Sequence, residues 1–203
     1  MAQPDHQAAR QYALERLQKE LSPALTYHSI FHTREMVMRS AEAFARIEGL
    51  PQEQADLLVT AAAFHDIGYL KKPTDHESAG ACIAQEVLPS FGFSMEQVNQ
   101  VVGMIQATHL PQTPLNHLEE LMADADLSIL GMEDFLKLNS SLRLEQAQAG
   151  RVYTDEEWYS SQARFMQNHH YFSTTAQALY AEGKQKNMAV LEQLLAKIPP
   201  VAT

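Results

Sequence analysis

Apolar residues recur at three- and four-residue spacing along almost the whole chain, and the alternating Val, Ile and Thr runs that announce strands are absent. A chain patterned this way buries its apolar surface by packing helix on helix, so the expected fold class is all-α. The 203 residues suit a single domain with a sizeable core. The spacing predicts a first helix over about 5–21 and a second over about 28–48, which ends at Gly49. A third opens at Pro51 and runs into His65-Asp66, where Gly68 is expected to supply a left-handed cap. A fourth runs from Asp75 or His76 to Leu88, with His76, Gly80, Ile83 and Val87 on one face. The next starts after Ser94 and sets Val98, Val102, Ile105 and His109 in one inward stripe before Pro111. Helices over about 116–130, 132–149, 154–169 and 173–197 complete the set, and the tail 199–203 is expected to fray.

Charge narrows the partners. Twenty-five acidic residues against 15 basic ones give a formal charge of −10, which repels nucleic acid polymers and anionic membranes. The lone Cys82 allows no internal disulfide and reads as a small core residue between Ala81 and Ile83. Charged residues interrupt every apolar stretch of the N-terminal region, so neither a signal peptide nor a membrane span is expected, and the location is read as cytoplasmic. Whether the chain is a monomer or a homo-oligomer stays open.

Several polar residues fall on faces that should point inward. Burying imidazoles and carboxylates against aliphatic stripes costs several kcal/mol of hydration each unless something compensates them together, and a cation does that. His32, the adjacent pair His65-Asp66, and Asp126 form a mixed nitrogen and oxygen set. Such a set suits a divalent ion of the Mn, Fe, Co, Ni or Zn type, with Mg as a further option. His65 and Asp66 point about 100° apart on a regular helix, so they would grip one ion more easily where the helix ends. His28 competes with His32 as ligand. Asp124 competes with Asp126, but its helical neighbours Glu120 and Ser128 give it the wetter face.

The order of these residues resembles the HD superfamily of metal-dependent phosphohydrolases. Three segments carry the resemblance: Tyr27-His28-x-x-x-His32, Ala61-Ala62-Ala63-Phe64-His65-Asp66-Ile67-Gly68, and Ala123-Asp124-Ala125-Asp126-Leu127. It spans about 25–135, with an additional helical extension over about 136–198. A narrower likeness to an uncharacterised bacterial branch of predicted HD hydrolases runs on through Trp158-x-x-x-Gln162-x-x-Phe165 and His169-x-Tyr171-Phe172.

The resemblance implies metal at His32, His65, Asp66 and Asp126, and hydrolysis of a phosphate ester of a nucleotide or related small phosphorylated metabolite. Asp66, His76 and His109 are the implied catalytic groups, with Glu77 a further proton carrier. In related two-metal proteins extra histidines hold a second ion, for which His76 and His109 are the candidates. Lys71, Lys72 and Arg143 are candidates for binding substrate phosphate. Trp158, Phe165, Tyr171 and Phe172 read as core aromatics, with base stacking the competing role. The missing Gly-Tyr-Pro motif disfavours a cyclic-di-GMP phosphodiesterase, and Ile67-Gly68 stands where alarmone hydrolases carry acidic residues. The alternatives are an HD-type di-iron oxygenase and a non-catalytic nucleotide-binding regulatory module.

Overall fold

A computed structural model describes residues 3–199; the tail positions Pro200–Thr203 lie outside it. Among the described residues the chain forms nine α-helices and no strand. They are α1 (His6–Glu20), α2 (Met38–Glu48), α3 (Gln52–Phe64), α4 (His76–Val87), α5 (Met95–Gln106), α6 (His117–Asp126), α7 (Phe135–Gln148), α8 (Asp155–Asn168) and α9 (Thr174–Ala196). The boundaries follow local chemistry. Ser94 and Gln97 form a reciprocal capping box at the start of α5, and Thr154 and Glu157 form another at α8. Gly49, at φ +62°, closes α2 in the left-handed region, while Ser173 caps α9.

The largest apolar cluster collects Phe44, Leu57, Phe64, Ile105, Leu121 and Met122 from α2, α3, α5 and α6. A second cluster, with Leu127, Ile129, Leu130, Phe135, Met166 and Leu191, joins the C-terminal helices to the short 3-10 segment Leu127–Gly131. Gly131 and Gly183 make the closest crossing there. A Cβ on Gly183 would lie 1.9 Å from the Gly131 carbonyl oxygen, so neither position has room for a side chain.

Three expectations are corrected. Gly68 does not adopt a positive φ; it lies in a 3-10 turn, Ile67–Leu70, and is small because α4 crosses it. A Cβ at Gly68 would sit 1.8 Å from the His76 carbonyl oxygen. Cys82 is exposed, since Ala81 and Ile83 take the inner face of α4 and turn it outward. Asp124 is fully buried, not wet. Its carboxylate accepts from Phe172 N (2.9 Å), Ser173 N (2.8 Å) and Ser173 Oγ (2.7 Å), fastening the start of α9 to α6. Helix-face counting within α6 could not see a partner 49 residues away. Replacing Asp124 by Ala should strand buried donors and cost about 2–4 kcal/mol in urea-unfolding stability. A wild-type unfolding midpoint and slope in that variant would contradict this account of the junction.

Candidate metal centre and cavity

Helix α3 ends at Phe64, and the two residues after it do what a continuous helix could not. His65 keeps helical angles, while Asp66 moves to φ −95°, ψ 1°, the bridge region, so both side chains turn toward the same point. His32 enters from a π-helical segment, His32–Val37, in which Met38 N–H bonds to Thr33 O, five residues back. Such wide turns favour functional positions. Asp126 is the last residue of α6. Two helix C-termini, each a partial negative charge, thus converge with two carboxylates.

His32, His65 and Asp66 are buried, and one ligand atom from each lies within 4.8 Å of the others. Asp126 adjoins them: its Oδ1 is 3.2 Å from His32 Nε2 and 3.5 Å from His65 Nε2. Asp66 Oδ2 is 3.2 Å from His65 Nε2 and 3.8 Å from His32 Nε2. Ligands each about 2.1 Å from a shared ion stand roughly 3.0–3.4 Å apart, so these spacings fit one cation.

The hydrogen bonding fits as well. His65 Nδ1–H donates to Ala62 O at 2.8 Å, which aims the Nε2 lone pair at the cluster. His65 Nε2 and Asp66 Oδ2 are buried without a hydrogen-bond partner. Buried polar atoms left in this state need an ion or a water. His32 lacks the matching support, because its Nδ1 is also buried and unpartnered. Burial works against the charged form of His65, but Asp66 and Asp126 outweigh it and raise its pKa well above the usual value. Burial likewise opposes ionisation of Asp66 and Asp126, yet the facing histidines hold both carboxyls below the ordinary carboxylate range. Both carboxylates are thus ionised against burial with a protonated imidazole as countercharge, the place a bound cation would take.

A cavity of about 440 Å³ opens beside the cluster. Asp66, His76, Glu77, His109 and Asp126 are among its lining residues. His76 begins α4, with Nε2 3.5 Å from Asp66 Oδ1 and Nδ1 3.5 Å from Glu77 Oε2. His109 differs from expectation. Helix α5 stops at Gln106, so His109 leaves the inward stripe and sits exposed in the following turn, where it reaches the cavity mouth. Lys71, Lys72 and Arg143 do not line the cavity. Lys71 is exposed, Lys72 pairs with Asp75 at 2.6 Å, and Arg143 pairs with Asp155 at 2.6 Å.

Apolar lining comes from Leu127, Ile129, Leu130, Phe135, Leu142 and Phe165, with the amides of Asn139, Gln146 and Gln162 also lining the cavity. Trp158 stays behind this lining, its Nε1–H donating to Asn139 Oδ1 at 2.7 Å, and Asn139 in turn donates to Gln162 Oε1 at 2.6 Å. Of the four C-terminal aromatics singled out from sequence, Phe165 alone lines this cavity; Tyr171 is buried and Phe172 is partly exposed. The sequence pattern missed Tyr69, Asn139, Gln146 and Glu145, which share no spacing with the histidine and aspartate segments. Glu145 carries no local signal: it is buried on α7 beside Phe135, Leu138 and Asn139, and its partners lie 117 and 118 positions away.

Residues 30–128 match the family model of the HD domain. The chain carries an HD domain. The match includes His32, His65, Asp66, His76, His109 and Asp126. The fold is also similar to the crystal structure of a predicted HD superfamily hydrolase from an uncultured Thermotogales bacterium. That likeness has a TM-score of 0.63 and 21% identity and covers 96% of this chain and 93% of that one. Among curated proteins none matches this HD-domain chain. No helix among the described residues is long and apolar enough to cross a membrane.

Proposed function

We propose that this HD-domain protein is a metal-dependent phosphohydrolase acting on a nucleotide or a related small phosphorylated metabolite. The observation that carries the reading is the convergence of His32, His65, Asp66 and Asp126 beside a cavity that Asp66 and Asp126 line, with His65 Nε2 and Asp66 Oδ2 left unpartnered. These four side chains would hold the cation. A bound divalent ion supplies Lewis acidity and lowers the pKa of a coordinated water from about 15.7 toward about 7.

The chain's own groups do the rest. Asp66 offers its second carboxylate oxygen to His76, and His76 lies between that oxygen and Glu77, a route by which a proton can leave the cavity. His109 stands at the mouth, within reach of a substrate's outer end. The apolar wall with its three amides suits a nucleobase, which has flat apolar faces and a hydrogen-bonding edge.

The test is a panel of nucleoside mono-, di- and triphosphates and cyclic dinucleotides, assayed with Mn²⁺, Fe²⁺, Co²⁺, Ni²⁺, Zn²⁺ and Mg²⁺ after elemental analysis of the purified protein. Phosphate release that appears on metal loading and disappears with a chelator is expected. No release from any substrate under any metal would overturn the reading. A second reading, a di-iron oxygenase, draws on His76 standing at the free oxygen of Asp66. It requires two iron atoms per chain and oxygen uptake, which the same elemental analysis and an oxygen electrode measure.

A further inference from the structure

The cavity poses an electrostatic problem. Asp66, Glu77 and Asp126 line it, as does Asp75, whose charge Lys72 offsets at 2.6 Å, and no Lys or Arg is itself a lining residue among the described residues. A phosphorylated substrate needs a hydrogen-bond donor there beyond the cation. His28 meets that need. It lies outside the residues matched by the HD family model, and so does its partner Glu145.

Glu145 reaches across from α7 and is buried. Its Oε2 accepts from the backbone N–H of Tyr27 (2.9 Å) and of His28 (3.0 Å), and its Oε1 accepts from His28 Nδ1–H (2.5 Å). Three hydrogen bonds spanning 117 or 118 positions of sequence thus lock the two segments together. The His28 ring stacks on Tyr69 at 4.5 Å between centroids and stands 6.1 Å from the His32 ring and 6.0 Å from the His76 ring. Nδ1 is committed to Glu145, which leaves Nε2 as the free nitrogen of a ring that lines the cavity.

We propose that His28, oriented by Glu145, is the side chain that binds the substrate's phosphoryl group, with Nε2–H donating to a phosphoryl oxygen beside the His32, His65 and Asp66 cluster. Glu145 is a positioning residue that fixes the ring's angle and, as a carboxylate behind an imidazole, stabilises the imidazolium in which both nitrogens donate. The groups facing His28 are Glu145 from α7, Asp66 and Tyr69 from the 3-10 turn, Asp126 from α6, Tyr27, His32 and His76. With Nδ1–H held by the buried Glu145 carboxylate at 2.5 Å, a proton on Nε2 makes the ring an imidazolium whose charge that carboxylate offsets. Of the carboxylates facing His28, Glu145 is the one not facing the proposed cation.

This inference rests on the phosphohydrolase reading for its ligand, so its probe is inorganic phosphate, whose binding needs no turnover. Calorimetric titration of phosphate into the full chain, with and without Mn²⁺, is compared for wild type, His28→Gln and Glu145→Gln. His28→Gln should weaken phosphate binding about 10- to 100-fold, the scale of one charge-assisted hydrogen bond, at unchanged metal content. Glu145→Gln should weaken it less and erase the His28 Nδ1–H resonance in ¹⁵N imidazole spectra. In wild-type protein, which avoids any folding defect of the variants, phosphate saturation should shift the His28 Nε2 resonance.

Unchanged phosphate affinity in His28→Gln, no phosphate binding at all, or a wild-type Nε2 resonance that ignores phosphate would overturn the assignment. Ester hydrolysis measured in parallel separates the two claims. Phosphate binding that depends on His28 without hydrolysis of any ester sinks the phosphohydrolase reading alone. Hydrolysis that survives intact in His28→Gln sinks the His28 assignment alone.

Discussion

Replacing Asp66 by Ala is expected to remove bound divalent metal and phosphate-ester turnover together while leaving helical content nearly intact. Asp66 faces both His65 Nε2 and His32 Nε2 and presents its other oxygen to His76, so no neighbouring group can take its place. Loss of a residue that merely supports a ligand typically costs 10- to 100-fold in metal affinity or activity, and loss of a ligand should exceed that, by about 100-fold or more. His65→Ala should behave alike, because Ala62 O orients His65 Nε2 and the other ligand imidazole, His32, lacks such support. Elemental analysis, far-ultraviolet circular dichroism and the turnover assay check the three parts separately. Turnover persisting in metal-free Asp66→Ala protein would reject the mechanism.

Gly68→Ala is expected to be among the most damaging single-methyl changes in the chain. The added carbon would meet the His76 carbonyl oxygen at 1.8 Å and the Gly80 nitrogen at 2.7 Å, both backbone atoms that cannot swing away. Helix α4 would have to lift at its first turn. Overpacking of a tight core costs roughly 1–3 kcal/mol, and backbone contact of this severity belongs at or above the upper end. The same displacement would carry His76 away from Asp66, so catalytic turnover should fall with stability. Gly80→Ala is the control. Its Cβ would meet nothing closer than the His65 carbonyl oxygen at 3.4 Å, and the gain of roughly 0.5–1 kcal/mol in helix propensity should leave that variant at least as stable as wild type. Equal unfolding midpoints for Gly68→Ala and wild type would show that the crossing is not as close as described.

Local spacing carried the reading a long way. The 3.6-residue period announced helices because each amphipathic segment repeats its own signal, and Ser94, Gly49 and Ser22-Pro23 punctuate the chain in ways that need no partner. His32, His65-Asp66 and Asp126 stood out for a related reason: charged groups on apolar faces are conspicuous against a hydrophobic stripe. The errors came where that logic was carried past its range. Spacing alone puts His109 on the α5 stripe, but the helix stops at Gln106. Asp124 was given a solvated face because only its own helix was counted, whereas Phe172 and Ser173 cover it. Gly68 was given a backbone role when its smallness serves a helix crossing.

The amino-acid order therefore determined the elements, the all-α class and the cluster whose residues betray themselves by polarity out of place. Tertiary packing alone decided what surrounds that cluster: the Glu145 carboxylate behind His28, the apolar wall with its amides, and the pairing of Lys72 with Asp75 and of Arg143 with Asp155. The physical reason is range. Periodicity and capping are properties of neighbours along the chain, but a hydrogen bond between residues 28 and 145 exists only once helices from distant parts of the sequence have packed, and no local pattern encodes it.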